Sequence, residues 1–141
     1  MVLIETVRAW FRSCPLLRKD TIFGVDKLGA DPVNYEIAPL SCNPVVQKYV
    51  DGTTVRQFQF AFASREVYDE QQNMQNTAFY EQLQEWLEEQ SDRGNLPALG
   101  EGKKARELQI LSSGYVYDTG DSTAIYQMEL SLIYIQRKQY H

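Results

Sequence analysis

Histidine is nearly absent from this chain. The one imidazole among 141 residues is His141. That leaves no partner for a Ser-His-Asp or Cys-His arrangement in the body of the chain, and no catalytic residue is expected. Cysteine is scarce as well. Cys14 and Cys42 are too few for a disulfide scaffold and form no CxxC motif, so they read as reduced, structural thiols. With one imidazole and two separated thiols, neither a metal nor a cofactor is expected. Long apolar runs are missing too. The apolar start at Met1 to Ile4 is broken by Glu5 and Arg8, which falls short of a secretory signal. No stretch approaches the ~20 apolar residues of a membrane helix. The expectation is a soluble chain that stays inside the cell that makes it.

Basic residues are missing from one stretch only. Between Glu66 and Asp92 there is no Lys or Arg, while eight of the 19 acids lie there. The other 11 acids are outnumbered by the 14 bases, so a net charge of -5 divides into -8 for this stretch and +3 for the rest. Bulk acidity argues against a protein that coats nucleic acid. Glu88 and Glu89 also crowd the end of a predicted helix, where the macrodipole disfavours anions. Two readings stand: a functional negative surface, or a cost made trivial by solvent screening.

What is present is ordinary globular material. Hydrophobic residues make up 43% and charged residues 23%, and the length suits a single domain over 1–141. Leu3, Val7, Trp10, Phe11 and Cys14 recur at helical spacing, which predicts a helix from Val2 to Ser13, stopped by Pro15. Gly24, Gly29, Pro32, Pro39 and Pro44 punctuate the next region into turns. Tyr35, Ile37 and Val33 suggest one short strand there. Phe58, Phe60 and Phe62 alternate within a strand from Thr54 to Ser64, preceded by an Asp51-Gly52 hairpin turn that pairs it with Val46 to Val50. A polar loop is expected from Glu66 to Asn76. A second helix follows from Thr77 to Gln90, with Phe79, Leu83, Trp86 and Leu87 as its apolar stripe and Gly94 as its terminator. Two alternating strands close the chain, joined at Asp118 to Asp121. The order predicts an α+β fold: an antiparallel sheet of four to five strands with two main helices packed on one face.

Candidate chemistry has a plain structural account at each place. Gly94 to Gly102 precedes Lys103 and Lys104, but a helix comes before and a strand after, the reverse of a phosphate-binding loop. Glu85, Glu88 and Glu89 fall on the polar face of an amphipathic helix. Asp118 and Asp121 supply too few oxygens for calcium and suit a turn. The Phe-rich strand lacks the interleaved basic residues of a base-stacking platform and reads as core. Tyr68, Tyr115, Tyr117, Tyr126 and Tyr134 keep two readings: subunit contacts along sheet edges, or half-buried sheet and loop residues.

Several stretches together resemble small structural proteins of tailed bacteriophages of Gram-positive hosts, the minor capsid or tail terminator family. They are Ile4 to Phe11, Cys14 to Leu17, Lys48 to Gly52, Gln57-Phe58 and Phe62 to Glu66. The likeness continues at Phe79 to Glu81, Glu85 to Gln90, Gly94 to Pro97, and Ala124 to Gln127 with Leu132 to Tyr134. The resemblance implies a homo-oligomer, a hexameric ring that caps the tail tube and joins it to the head–tail connector or stopper protein. DNA would pass through the ring without specific binding. The chain would then belong to the virion, in its tail or neck, and assemble in the host bacterial cytoplasm. An acidic lumen would repel phosphates, and Asp69 and Glu70, in the loop after the Phe-rich strand, are the candidate lumen residues. A head-completion or stopper protein of the neck is the rival within phage assembly. A small-molecule-binding or hydrolytic domain built on the carboxylates is the rival outside it.

Overall fold

The computed structural model describes residues 2–17, 23–25, 34–67, 69–119 and 123–137, the side chains of 70–72 and 118 excepted. Val33, Tyr68, Asp121 and His141 lie outside the described residues. In chain order the elements are α1 (Leu3–Phe11), β1 (Phe23–Val25), β2 (Asn34–Pro39), β3 (Val45–Lys48), β4 (Thr54–Val67), α2 (Glu70–Asp92), β5 (Lys103–Thr119) and β6 (Thr123–Gln136). The fold class is α+β.

The sheet is larger than the sequence pattern predicts, and mixed rather than antiparallel. Among the described residues, six strands form one open sheet in the order β1-β2-β4-β6-β5, with β3 beside the start of β4. The departure from antiparallel is β1, which runs parallel to β2 through Phe23 to Val25 against Tyr35 to Ile37. Three residues around a glycine carry no periodic signal, so β1 exists through its partner and not through its own pattern. The spine is the β4–β6 pair, in register without a shift from Thr54 opposite Gln136 to Val67 opposite Thr123.

Alternation decides the two faces. Phe60, Phe62, Met128, Leu130 and Leu132 point to one side and are essentially fully buried. Both helices cover that side. Phe11 of α1 stacks on Phe62 with ring centroids 5.4 Å apart, and Tyr80 of α2 meets the same ring at 6.2 Å. Each such ring contributes about 1.5–3 kcal/mol by leaving water. The helices also touch each other: Trp10 lies 5.3 Å from Trp86, and its indole N–H donates to the Asn95 carbonyl at 3.2 Å.

The Asp51-Gly52 turn forms as the sequence predicts. Gly52 takes φ 91°, and the Thr53 N–H donates to an Asp51 carboxylate oxygen at 2.9 Å. That bond, with the Thr53 hydroxyl, holds the Asp51 carboxyl below its usual range. Gly94 ends α2 with φ 73°, its N–H bonded to the Ser91 carbonyl and that of Asn95 to Gln90. This is the paired closure that a left-handed glycine permits.

The segment expected to be a loop from Glu66 to Asn76 is not one. β4 continues to Val67 and α2 begins at Glu70, seven residues ahead of the expected start at Thr77. The reason is a polar interior contact. Asn76 is buried and its amide donates to the Val67 carbonyl at 3.2 Å, while Asn73 accepts from the Tyr126 hydroxyl at 3.4 Å. Amides do the packing of this first part of the helix, and a hydropathy pattern cannot register them.

Candidate functional site

The expected interface tyrosines separate into two groups. Tyr115 and Tyr117 stand exposed on β5. Tyr126 and Tyr134 do not belong with them: each is only 5% exposed. β6 is an inner strand, flanked by β4 and β5. Its even-numbered residues turn toward the helix side, so both tyrosines are structural. Burial raises the Tyr134 phenol, with the Arg56 guanidinium pulling the other way. Tyr68 lies outside the described residues.

Asp69 lies in the short connection between β4 and α2, as expected, whereas Glu70 belongs to the helix and not to a loop. Asp69 is exposed, and its carbonyl accepts the Asn73 N–H at 2.8 Å, the first hydrogen bond of α2. Glu70 is the first residue of the helix. Both acids therefore sit where the helix dipole favours negative charge.

Among the described residues, β5 is a long edge strand of the sheet. It has 17 residues against 14 in β6, and register shifts between Ala105 and Asp118 absorb the surplus. Among the described residues it pairs with β6 alone. Its far half carries exposed Leu111, Tyr115, Val116 and Tyr117. Between them, Gly114 lies beneath the helix, where a Cβ would come within 2.3 Å of the Tyr80 ring.

The opposite end of the sheet holds a cleft of about 490 Å³. Its floor is a row of paired residues: Lys48 opposite Thr54, Thr54 opposite Gln136, and Gln136 opposite Lys103. Thr54 and Gln136 have the parity of Phe58 and Phe60, so the row faces the helix side, yet among the described residues none from either helix lines the cleft. Arg56 projects from β4 and bonds the Thr54 hydroxyl through Nε at 3.0 Å. Arg137 follows β6, its N–H held by the Gly102 carbonyl at 2.8 Å. Gly100 and Gly102, at φ 96° and 78°, bend the chain so that Glu101 and Lys103 enter the same cleft. Among the described residues, four cations thus face one carboxylate.

Sequence reasoning missed this cleft. Its cations come from positions 48, 56, 103 and 137, and only the strand register brings them together. The available signals were the net positive charge outside Glu66 to Asp92 and the basic end of the loop at Lys103 and Lys104. Among the described residues, no three His, Cys, Asp or Glu side chains converge on a common point, and no helix is long and apolar enough to cross a membrane. No family model matches the chain, and no curated protein matches it.

Proposed function

We propose that this chain is a structural subunit of a tailed phage, a tail terminator. Copies of it close into a ring, hexameric by the resemblance, that caps the tail tube and joins the tail to the head connector. The observation that carries the reading is the β5 margin. A 17-residue edge strand with Leu111, Tyr115, Val116 and Tyr117 exposed is a surface that a solitary protein covers or blunts. The register shifts along β5 discourage indiscriminate strand stacking and leave the contact to side chains. A heterologous contact that closes a ring covers this margin on each copy without building an open fibre.

The acidity of the chain suits a ring that passes DNA without holding it, since phosphates gain nothing from a negative surface. Asp69 and Glu70, together at the start of α2, remain the proposed lumen residues. The site is assigned no reaction and no cofactor.

The test is electron microscopy of purified tail tubes mixed with the protein. A ring seated at one end of each tube, with tube growth arrested, is the expected result. A protein that ignores tubes and co-purifies with the portal adaptor is a neck stopper instead. A monomer that ignores both and melts higher with a small ligand belongs to neither class.

A further inference from the structure

We infer that the basic cleft at the end of the sheet is the receptor for the acidic face of α2 on a neighbouring copy. The inference rests on the reading that copies associate, and it adds to the β5 margin a second pair of surfaces that meet. Along α2, Glu81, Glu85, Glu88 and Asp92 recur at helical intervals on one exposed face. That face is opposite the one that buries Leu83 and Leu87, so it points away from its own sheet. The stripe is about 16 Å long at 1.5 Å per residue.

The cleft matches it in sign and in span. Lys48 and Lys103 stand at the two ends of a four-strand row, which is about 14 Å wide at ~4.8 Å per strand. Arg56 and Arg137 stand beside the row, and Thr54 and Gln136 give it a polar floor. The Thr54 hydroxyl holds the Arg56 side chain in place, so part of the ordering cost is met before a partner arrives. The acidic face and the cleft are different surfaces of one subunit. Their contact is therefore heterologous, the kind that propagates around a ring. Duplex DNA is the other polyanion such a cleft could meet. The net charge of -5 opposes DNA at long range, whereas the complementary helix is present in every copy at matching length.

Sedimentation of the full chain, across concentration and at low and high salt, tests the pairing. One variant, Lys103→Glu with Arg137→Glu, reverses the cleft. A second, Glu85→Lys with Glu88→Lys, reverses the helix face. Circular dichroism checks that both remain folded. The wild type is expected to associate at low salt and to dissociate as salt rises. Each variant alone should associate more weakly by about tenfold or more, and an equimolar mixture should recover the wild-type behaviour. A wild type that stays monomeric at every concentration overturns the inference. So does association that neither variant changes, or a mixture that fails to recover. A short DNA duplex that binds the wild-type cleft, with no self-association, assigns the cleft to nucleic acid and also overturns it. If the variants behave as expected but the assemblies never seat on tail tubes, the terminator reading fails and the pairing stands.

Discussion

Tyr80 lies directly over Gly114. A Cβ at position 114 would sit 2.3 Å from the Cγ and Cδ1 atoms of the phenol ring. The same tyrosine donates its hydroxyl to the Tyr126 carbonyl at 3.1 Å and lies 2.7 Å from the Ser64 hydroxyl. One side chain thus clamps α2 to β4, β5 and β6 at once, beside the β5 residues proposed to meet a neighbour.

Gly114→Ala should destabilise the fold by about 1–3 kcal/mol through overpacking. Urea denaturation of the single variant and of the Tyr80→Ala, Gly114→Ala double variant measures the coupling. The alanine should cost markedly less once the ring is gone. An unchanged cost would place the strain elsewhere.

Alkaline pH should weaken the fold through Tyr80. Burial raises its pKa, with the Ser64 hydrogen bond opposing and the Glu66 charge adding. The folded protein keeps the phenol proton after the unfolded chain has begun to release it near pH ~10. Below that pH the contribution is fully present. Above it the unfolded state binds fewer protons, so stability falls as pH rises toward the folded pKa. Tyr80→Phe should lose about 1 kcal/mol at neutral pH for its hydrogen bonds and show a flatter alkaline limb. An equally steep limb in the variant would reject Tyr80 as the source.

Ser131 offers a substitution in the opposite direction. It is 1% exposed, and its hydroxyl has no hydrogen-bond partner among the described residues. Ser131→Ala removes an unsatisfied polar group and should be neutral or stabilising by up to about 1 kcal/mol. A melting temperature lowered by several degrees would show that the hydroxyl is satisfied.

The two tyrosine groups should respond differently to change. Tyr115→Lys with Tyr117→Lys should leave the melting transition in place and abolish rings on tail tubes. Tyr126→Ala should cost about 3 kcal/mol or more as a core truncation. Rings that form normally from the β5 variant would remove β5 from the interface.

Charge reversal at the start of α2 separates the lumen from the subunit contact. Asp69→Lys with Glu70→Lys should slow DNA ejection while rings still assemble, at a stability cost of up to about 1 kcal/mol per charge for opposing the helix dipole. Ejection at the wild-type rate would move the lumen away from these residues.

Local pattern was enough for much of this molecule. The alternation of Phe58, Phe60 and Phe62, the stripe of Leu83 and Leu87, the Asp51-Gly52 turn and the Gly94 stop each depend on neighbours a few residues apart. Their spacing therefore identifies them from the chain alone. The acidic stretch from Glu66 to Asp92 was equally plain, because composition needs no geometry. Tertiary structure decided the rest. β1 exists only because β2 lies beside it. The early turns of α2 exist because Asn73 and Asn76 find Tyr126 and Val67. Tyr126 and Tyr134 are separated from Tyr115 and Tyr117 by which strand is inner and which is outer. The basic cleft gathers residues as far apart as Lys48 and Arg137 through the register of β3, β4, β6 and β5. Sequence periodicity reports the face on which a residue lies. What lies opposite that face is settled by long-range pairing, which leaves no periodic trace in the chain.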